Sequence, residues 1–265
     1  MIFLQGAVVL LTLSCASLSF EDIGALLADL PRHNSSRYIT RHSLRGDYFA
    51  TAYGTLEDPH VYIVLSDTKS PASRVIGFFT RAAYNHVSLS FDPALETLVS
   101  YNGGDGFFGP GLNHERLERL NRKPGASLAV FRLGVTAEQK RALIGRVAAI
   151  NREGSSYNLR GLVTKKSRLP NIMFCSQFVY TLLKDAGAAY FDKENGKVAP
   201  MDFVSQHGKG RPEFAGKIFF DRRVAGAVPS GGPGRAWKNS SFFSPKTLDS
   251  RSITSYNLIQ RVEKE

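Results

Sequence analysis

Residues 173–187 read Met173-Phe174-Cys175-Ser176-Gln177-Phe178-Val179-Tyr180-Thr181-Leu182-Leu183-Lys184-Asp185-Ala186-Gly187. Apolar residues recur at 178, 179, 182, 183 and 186, the spacing of one helix face, and Gly187 supplies a stop. Cys175 opens this predicted helix. In a first turn, unpaired backbone N–H groups and the positive end of the helix dipole favour the thiolate, which is the nucleophilic form. The alternative is a small inert core residue, since free cysteine is often buried. The choice between them depends on a partner base.

Six histidines are candidates for that base. His33 and His42 lie in an irregular N-terminal region, and His207 in a Gly/Lys-rich stretch. His60 and His114 fall at element edges. In His86-Val87-Ser88-Leu89-Ser90-Phe91 the residues at 87, 89 and 91 are apolar, and His86, Ser88 and Ser90 share the other face of a predicted strand. A polar sheet face either surrounds a site or faces water, so His86 gains meaning only with Cys175 opposite it.

Composition sets the outer bounds. The 265 residues are 43% hydrophobic and 22% charged, as in a globular protein. A net charge of +11 suits an anionic partner or surroundings, such as a membrane surface or a wall polymer. Basic runs such as Lys165-Lys166 and Arg222-Arg223 are too short for a nucleic-acid motif, so no specific nucleic-acid partner is expected. No pair or cluster of His, Cys and carboxylates has metal-ligand spacing, and no cofactor is expected. The glycine-rich stretch 103–111 lacks a phosphate-loop ending and reads as a plain loop.

The N-terminus speaks to location. Residues 1–20, MIFLQGAVVLLTLSCASLSF, resemble a signal segment, with Cys15 in a context loosely like that of a bacterial lipoprotein. Leu13 stands where a small residue is usual, and a basic leader is missing. Export or anchoring in the cell envelope is the expectation, with membrane association through the N-terminus. A buried first helix is the alternative. With Cys15 in that segment, no structural disulfide is expected.

Past this segment the pattern is α+β, a small antiparallel sheet flanked by helices, with Cys175 at a helix N-terminus. Helices are predicted at 20–30, at 73–82 and from Thr136 to about Arg152, where Gln139 completes a capping box. Strands are predicted at 60–66, 86–91, 96–101, 127–133 and 216–220, the second and third joined by a turn at Asp92-Pro93. Residues 31–57 give no clear assignment. The expected organisation is a signal segment at 1–20, an extension at 21–57, a compact domain at 58–222 and a Gly/Pro/Ser/Lys-rich tail at 223–265.

Tyr84-Asn85-His86-Val87-Ser88-Leu89-Ser90-Phe91-Asp92 with Ser100-Tyr101 resembles the histidine block of the permuted papain-like enzymes of the YaeF/YiiX type, relatives of the NlpC/P60 peptidases. Phe174-Cys175-Ser176-Gln177-Phe178-Val179 is similar to that family's cysteine block. Tyr157-Asn158-Leu159-Arg160-Gly161-Leu162, Pro200-Met201-Asp202-Phe203 and Phe214-Ala215-Gly216-Lys217 follow the expected order, so the resemblance covers about 60–220.

The resemblance implies a circularly permuted papain-like fold in which His86 faces Cys175. It implies a cysteine hydrolase with Cys175 as nucleophile, His86 as base and a third polar group from the strand after the histidine. Ser100 matches by spacing, and Glu96 is chemically stronger but nearer the turn. Tyr84, Ser176 and Gln177 are the candidate substrate-binding residues. The expected substrate is a peptide or amide of the envelope, such as a peptidoglycan peptide. A lipid amide or ester handled by an acyltransferase, and a non-catalytic anchored binding protein, are the alternatives.

Overall fold

The computed structural model describes residue 24 and residues 37–67, 84–104, 108–117, 126–159, 169–205 and 210–219. Within them the chain is α+β. Helix α1 (Gly46–Gly54) precedes strands β1 (His60–Asp67), β2 (His86–Ser90), β3 (Val99–Asn102), β4 (Gly111–His114) and β5 (Ser127–Gly134). Helix α2 (Ala137–Glu153), the short strands β6 (Ser156–Tyr157) and β7 (Ile172–Met173), and helix α3 (Cys175–Asp185) follow. A 3₁₀ turn (Asn195–Lys197), helix α4 (Asp202–Ser205) and β8 (Glu213–Phe219) complete the order.

Six strands form one antiparallel sheet in the order β4-β3-β2-β1-β5-β8, and β6 and β7 pair in parallel beside it. The central strand β1 is covered on both faces. Ile63 and Leu65 join Val87, Leu89 and Phe131 in the main core with the helices, whereas Tyr62 and Val64 join Leu98, Leu128 and Val130 in a second cluster. Each fully buried side chain of this size contributes about 1.5–3 kcal/mol, so β1 and its neighbours fix the frame on which the site is built.

Helix α2 begins with the capping box expected from its sequence. Thr136 Oγ1 accepts from Gln139 N–H at 3.2 Å and Gln139 Oε1 accepts from Thr136 N–H at 2.9 Å. Leu143, Val147 and Ile150 point into the core, as their spacing predicts. Lys140 is fully buried on the same helix, and its ammonium donates to the Asp58 and His60 carbonyls at 2.9 and 2.8 Å. That clamp ties α2 to the start of β1.

Residues 40–54 belong to the same core. Thr40 bridges Ser155, and the Asn151 side chain pairs with both the N–H and the carbonyl of Leu44 at 3.0 Å. Leu44, Tyr48 and Ala52 pack in the main cluster, and α1 occupies sequence that gave no clear assignment.

The predicted strand at 96–101 starts later, at Val99. The Asp92 carboxylate captures the N–H groups of Glu96 and Thr97 at 3.0 and 2.7 Å and so prolongs the turn. The signal segment, most of the helix at 20–30, the helix at 73–82 and the tail from 223 lie outside the described residues. No helix among those described is long and apolar enough to cross a membrane.

Candidate active site

Strand β7 delivers the chain directly into α3. Phe174 is extended at the N-cap (φ −99°, ψ 170°), and Cys175 is the first helical residue. The first intrahelical bond runs from Phe178 N–H to the Phe174 carbonyl at 2.9 Å, so the N–H groups of Cys175, Ser176 and Gln177 precede it. The amphipathic face holds the helix down, with the Phe178 ring 4.6 Å from that of Tyr101 on β3. Cys175 is a free, buried thiol on a helix that packs against β2 and β3.

Opposite it stands His86, the first residue of β2, close enough to the Cys175 sulfur for the two to act on each other. Its Nε2 lies 2.8 Å from Glu115 Oε1, which leaves Nδ1 as the ring nitrogen for the sulfur. Glu115 follows β4 by one residue, and its backbone N–H bonds the Leu98 carbonyl at 2.8 Å, which brings the carboxylate beneath β2 and β3. Ser88 donates to Glu115 Oε2 at 2.5 Å, and Ser100 and Asn102 donate to Oε1 at 2.6 and 3.2 Å.

These contacts set the charges. Burial alone would lower the His86 imidazole, but the Glu115 carboxylate, then the Cys175 sulfur, outweigh it and hold His86 well above its ordinary 6.5. Burial alone would raise Glu115. The His86 charge and the bonds from His86, Ser100 and Ser88 bring it down to about 2. His86 is therefore an imidazolium held by the Glu115 carboxylate near neutral pH.

Tyr157, the partner of Met173 across the β6–β7 pair, is buried next to this group. Burial first, then the negative charges of Cys175 and Glu115, push its phenol well above 10.0, so it keeps its proton.

The structure brings His86 and Cys175 together, but the third position differs from expectation. The group bonded to His86 is Glu115, not Ser100 or Glu96. Ser100 donates to the carboxylate at 2.6 Å and so stands one step removed from the ring. Glu96 is exposed at the Asp92 turn, with its carbonyl bonded to His114 Nε2 at 2.8 Å. The polar face of β2 is neither wet nor idle, since Ser88 serves Glu115 and Ser90 serves the Asp92–Thr97 turn.

Of the residues assigned to substrate, Ser176 is buried and donates to the Val198 carbonyl at 2.6 Å, a bond that anchors the following loop. Tyr84 and Gln177 are buried, and lie in sequence two residues before His86 and two after Cys175.

Glu115 and Asn102 had no role in the sequence reading. The signal that points to Glu115 is the register of β4. Once Asn113 is set opposite Ser100, the chain carries residue 115 past Leu98. Gly111-Leu112-Asn113-His114 has no β-branched residue and follows a glycine-rich stretch, so its strand pattern is faint.

Among the described residues no group of three or more His, Cys, Asp or Glu side chains is placed to hold a metal ion. Compared with family models, curated proteins and solved structures, the chain has no match in any of the three.

Proposed function

We propose that the protein is a cysteine hydrolase with a circularly permuted papain-like fold, acting through a Cys175–His86–Glu115 triad on an amide or peptide bond of an envelope substrate. The observation that carries this reading is His86 bonded at Nε2 by an anionic carboxylate and facing a helix-initiating thiol with its other side. The resemblance of the histidine and cysteine blocks to the YaeF/YiiX type supports it, as does their order in the chain.

In this mechanism the Cys175 sulfur, its proton held on His86, attacks the substrate carbonyl and forms a C–S bond. First-turn N–H groups of α3 are the donors at hand for the tetrahedral oxyanion. Collapse breaks the scissile bond, and the leaving nitrogen takes the His86 proton. His86 then removes a proton from water, which attacks the thioester, and the acid product leaves with the thiol restored. Glu115 holds the ring orientation and stabilises the imidazolium throughout. The net charge of +11 suits an anionic wall or membrane surface as the place of work.

The burial of the thiol favours one other reading, a binding protein that keeps the fold without chemistry. Iodoacetamide labelling across pH separates the two. The hydrolase predicts fast alkylation of Cys175 below pH 7 that slows at least ten-fold in His86→Ala. Alkylation that rises only above about pH 8.5, as for an ordinary thiol, and is identical in His86→Ala would sink the triad.

A further inference from the structure

The glycine-rich stretch 103–111 has the sequence of a plain loop, yet one side chain ties it to the Glu115 carboxylate. It runs from Asn102, the last residue of β3, into Gly111, the first of β4, and these two residues pair across the ladder. Asn102 Oδ1 accepts from the Gly104 N–H at 2.9 Å and from Asn113 Nδ2 at 3.0 Å. On its other side, Asn102 Nδ2 donates to Glu115 Oε1 at 3.2 Å and lies 3.5 Å from Ser100 Oγ. The titratable groups acting on this carboxylate and its base are His86 itself, the Cys175 thiol of α3 and the Tyr157 phenol of β6. Ser88 and Ser100 also donate to it, but among the described residues Asn102 is the donor that holds the loop as well.

The partners dictate how both amides are turned. A backbone N–H only donates, so the Asn102 atom facing Gly104 is the oxygen and the NH2 group faces Glu115. Asn113 Nδ2 sits among three acceptors, Asn102 Oδ1 and the Gly109 and Gly111 carbonyls at 3.1 and 3.2 Å. That orientation leaves Asn113 Oδ1 buried without a hydrogen-bond partner, a cost natural proteins seldom accept. Turning the amide over would instead set its oxygen against all three acceptors. Gly104 is itself held in place: its φ is +76°, and a Cβ there would run into the Phe108 carbonyl oxygen and lie 2.8 Å from the Gly109 carbonyl carbon.

We propose that Asn102 is a positioning residue that couples the loop backbone at Gly104 and Gly109 to the seat of Glu115, so that a displacement there loosens the carboxylate beneath His86 and slows Cys175. This rests on the hydrolase reading and adds a point of regulation to it. The loop oxygen of Asn102 fixes where its NH2 group points, and the NH2 group fixes one face of Glu115 Oε1. A change at Gly104 is thereby felt at the thiol without contact between them.

Iodoacetamide rates at Cys175, measured across pH on the full chain, test the coupling. Gly104→Ala changes no atom of Cys175, His86 or Glu115, but it forces the backbone at residue 104 to move. It should slow alkylation at pH 6 about five-fold or more, the lower end of coupling between separate sites. Asn102→Ala should do the same. The double variant should be no slower than the slower single one, because the change at Gly104 acts through Asn102. A wild-type pH profile in Gly104→Ala, or effects of the two substitutions that multiply independently, would overturn the proposal.

Asn102→Asp separates positioning from folding, and it decides the question if Gly104→Ala does not fold. The new carboxylate still accepts from Gly104 and Asn113, but it turns an oxygen toward Glu115 in place of the amide. Two carboxylates so close share a proton until the pH is well above their ordinary range, so the alkylation profile should gain a step above about pH 5, slower on its acid side. A role for Asn102 in the fold alone predicts a lower Tm with no such step, and that result would overturn the proposal. His86→Ala reads the underlying pair separately. If it leaves the alkylation rate unchanged, the hydrolase reading fails; if it slows the rate while the Asn102 and Gly104 variants do not, the coupling alone fails.

Discussion

Glu115 governs the charge state around Cys175 more than any other side chain. It receives His86, Ser100 and Asn102 on Oε1 and Ser88 on Oε2, and these donors fix its anion. Glu115→Gln keeps the shape but removes the charge that holds His86 protonated. The expected outcome is a loss of about ten- to a hundred-fold in the rate of Cys175 alkylation at pH 6, with the protein still folded by circular dichroism. Stability follows a defined pH window. Glu115, lowered from 4.5 to about 2, contributes stability present above 4.5 and lost as pH falls through about 2. His86, raised from 6.5, contributes stability fully present below 6.5 and lost as pH rises through its elevated folded value. The difference in Tm between wild type and Glu115→Gln is therefore largest from about pH 4.5 to 6.5 and shrinks on both sides, which melting curves across pH will check. Cys175 and His86 were legible because each sits in a strong local pattern, a helix start and an alternating strand. Glu115 was not, since its position depends on a pairing between strands that no local pattern encodes.

At the scale of elements, Lys140 shows how the frame is held in place. Its stem lies in the core, and its ammonium satisfies two carbonyls at the start of β1, with the Asp58 carboxylate at 3.8 Å. Burial lowers its pKa, and Asp58 partly restores it. Lys140→Met keeps the stem and orphans both carbonyls, so it should cost about 1–3 kcal/mol per carbonyl left unpaired, read from urea denaturation. The long helices and central strands could be read from sequence because their apolar periodicity spans several turns or residues. Strands β4, β6 and β7 could not, being two to four residues long and defined by their partners. The late start of β3 has the same origin, since the Asp92 side chain competes with the ladder for backbone N–H groups.

For the molecule as a whole, the α+β class was legible, and the placing of residues 40–54 within the core was not. Their anchors are long-range ones, Thr40 to Ser155 and Leu44 to Asn151. Because the thiol, its base and the carboxylate all rest on the sheet and α3, the pair has no existence apart from that packing. In a urea titration, the His86-dependent part of Cys175 reactivity should disappear with the same midpoint as the helical signal. A reactive pair that persists after the helical signal is lost, or vanishes well before it, would show that the site is not integral to the core.

The spacing of these residues along the chain adds a temporal consequence. His86 and Glu115 are made first, and sixty residues separate Glu115 from Cys175 (115 to 175). During synthesis the base and carboxylate can assemble on their hairpins before the sulfur exists, whereas the sulfur never exists without them. The sulfur thus joins a base and a carboxylate that precede it in the chain, and the docking of α3 completes the group.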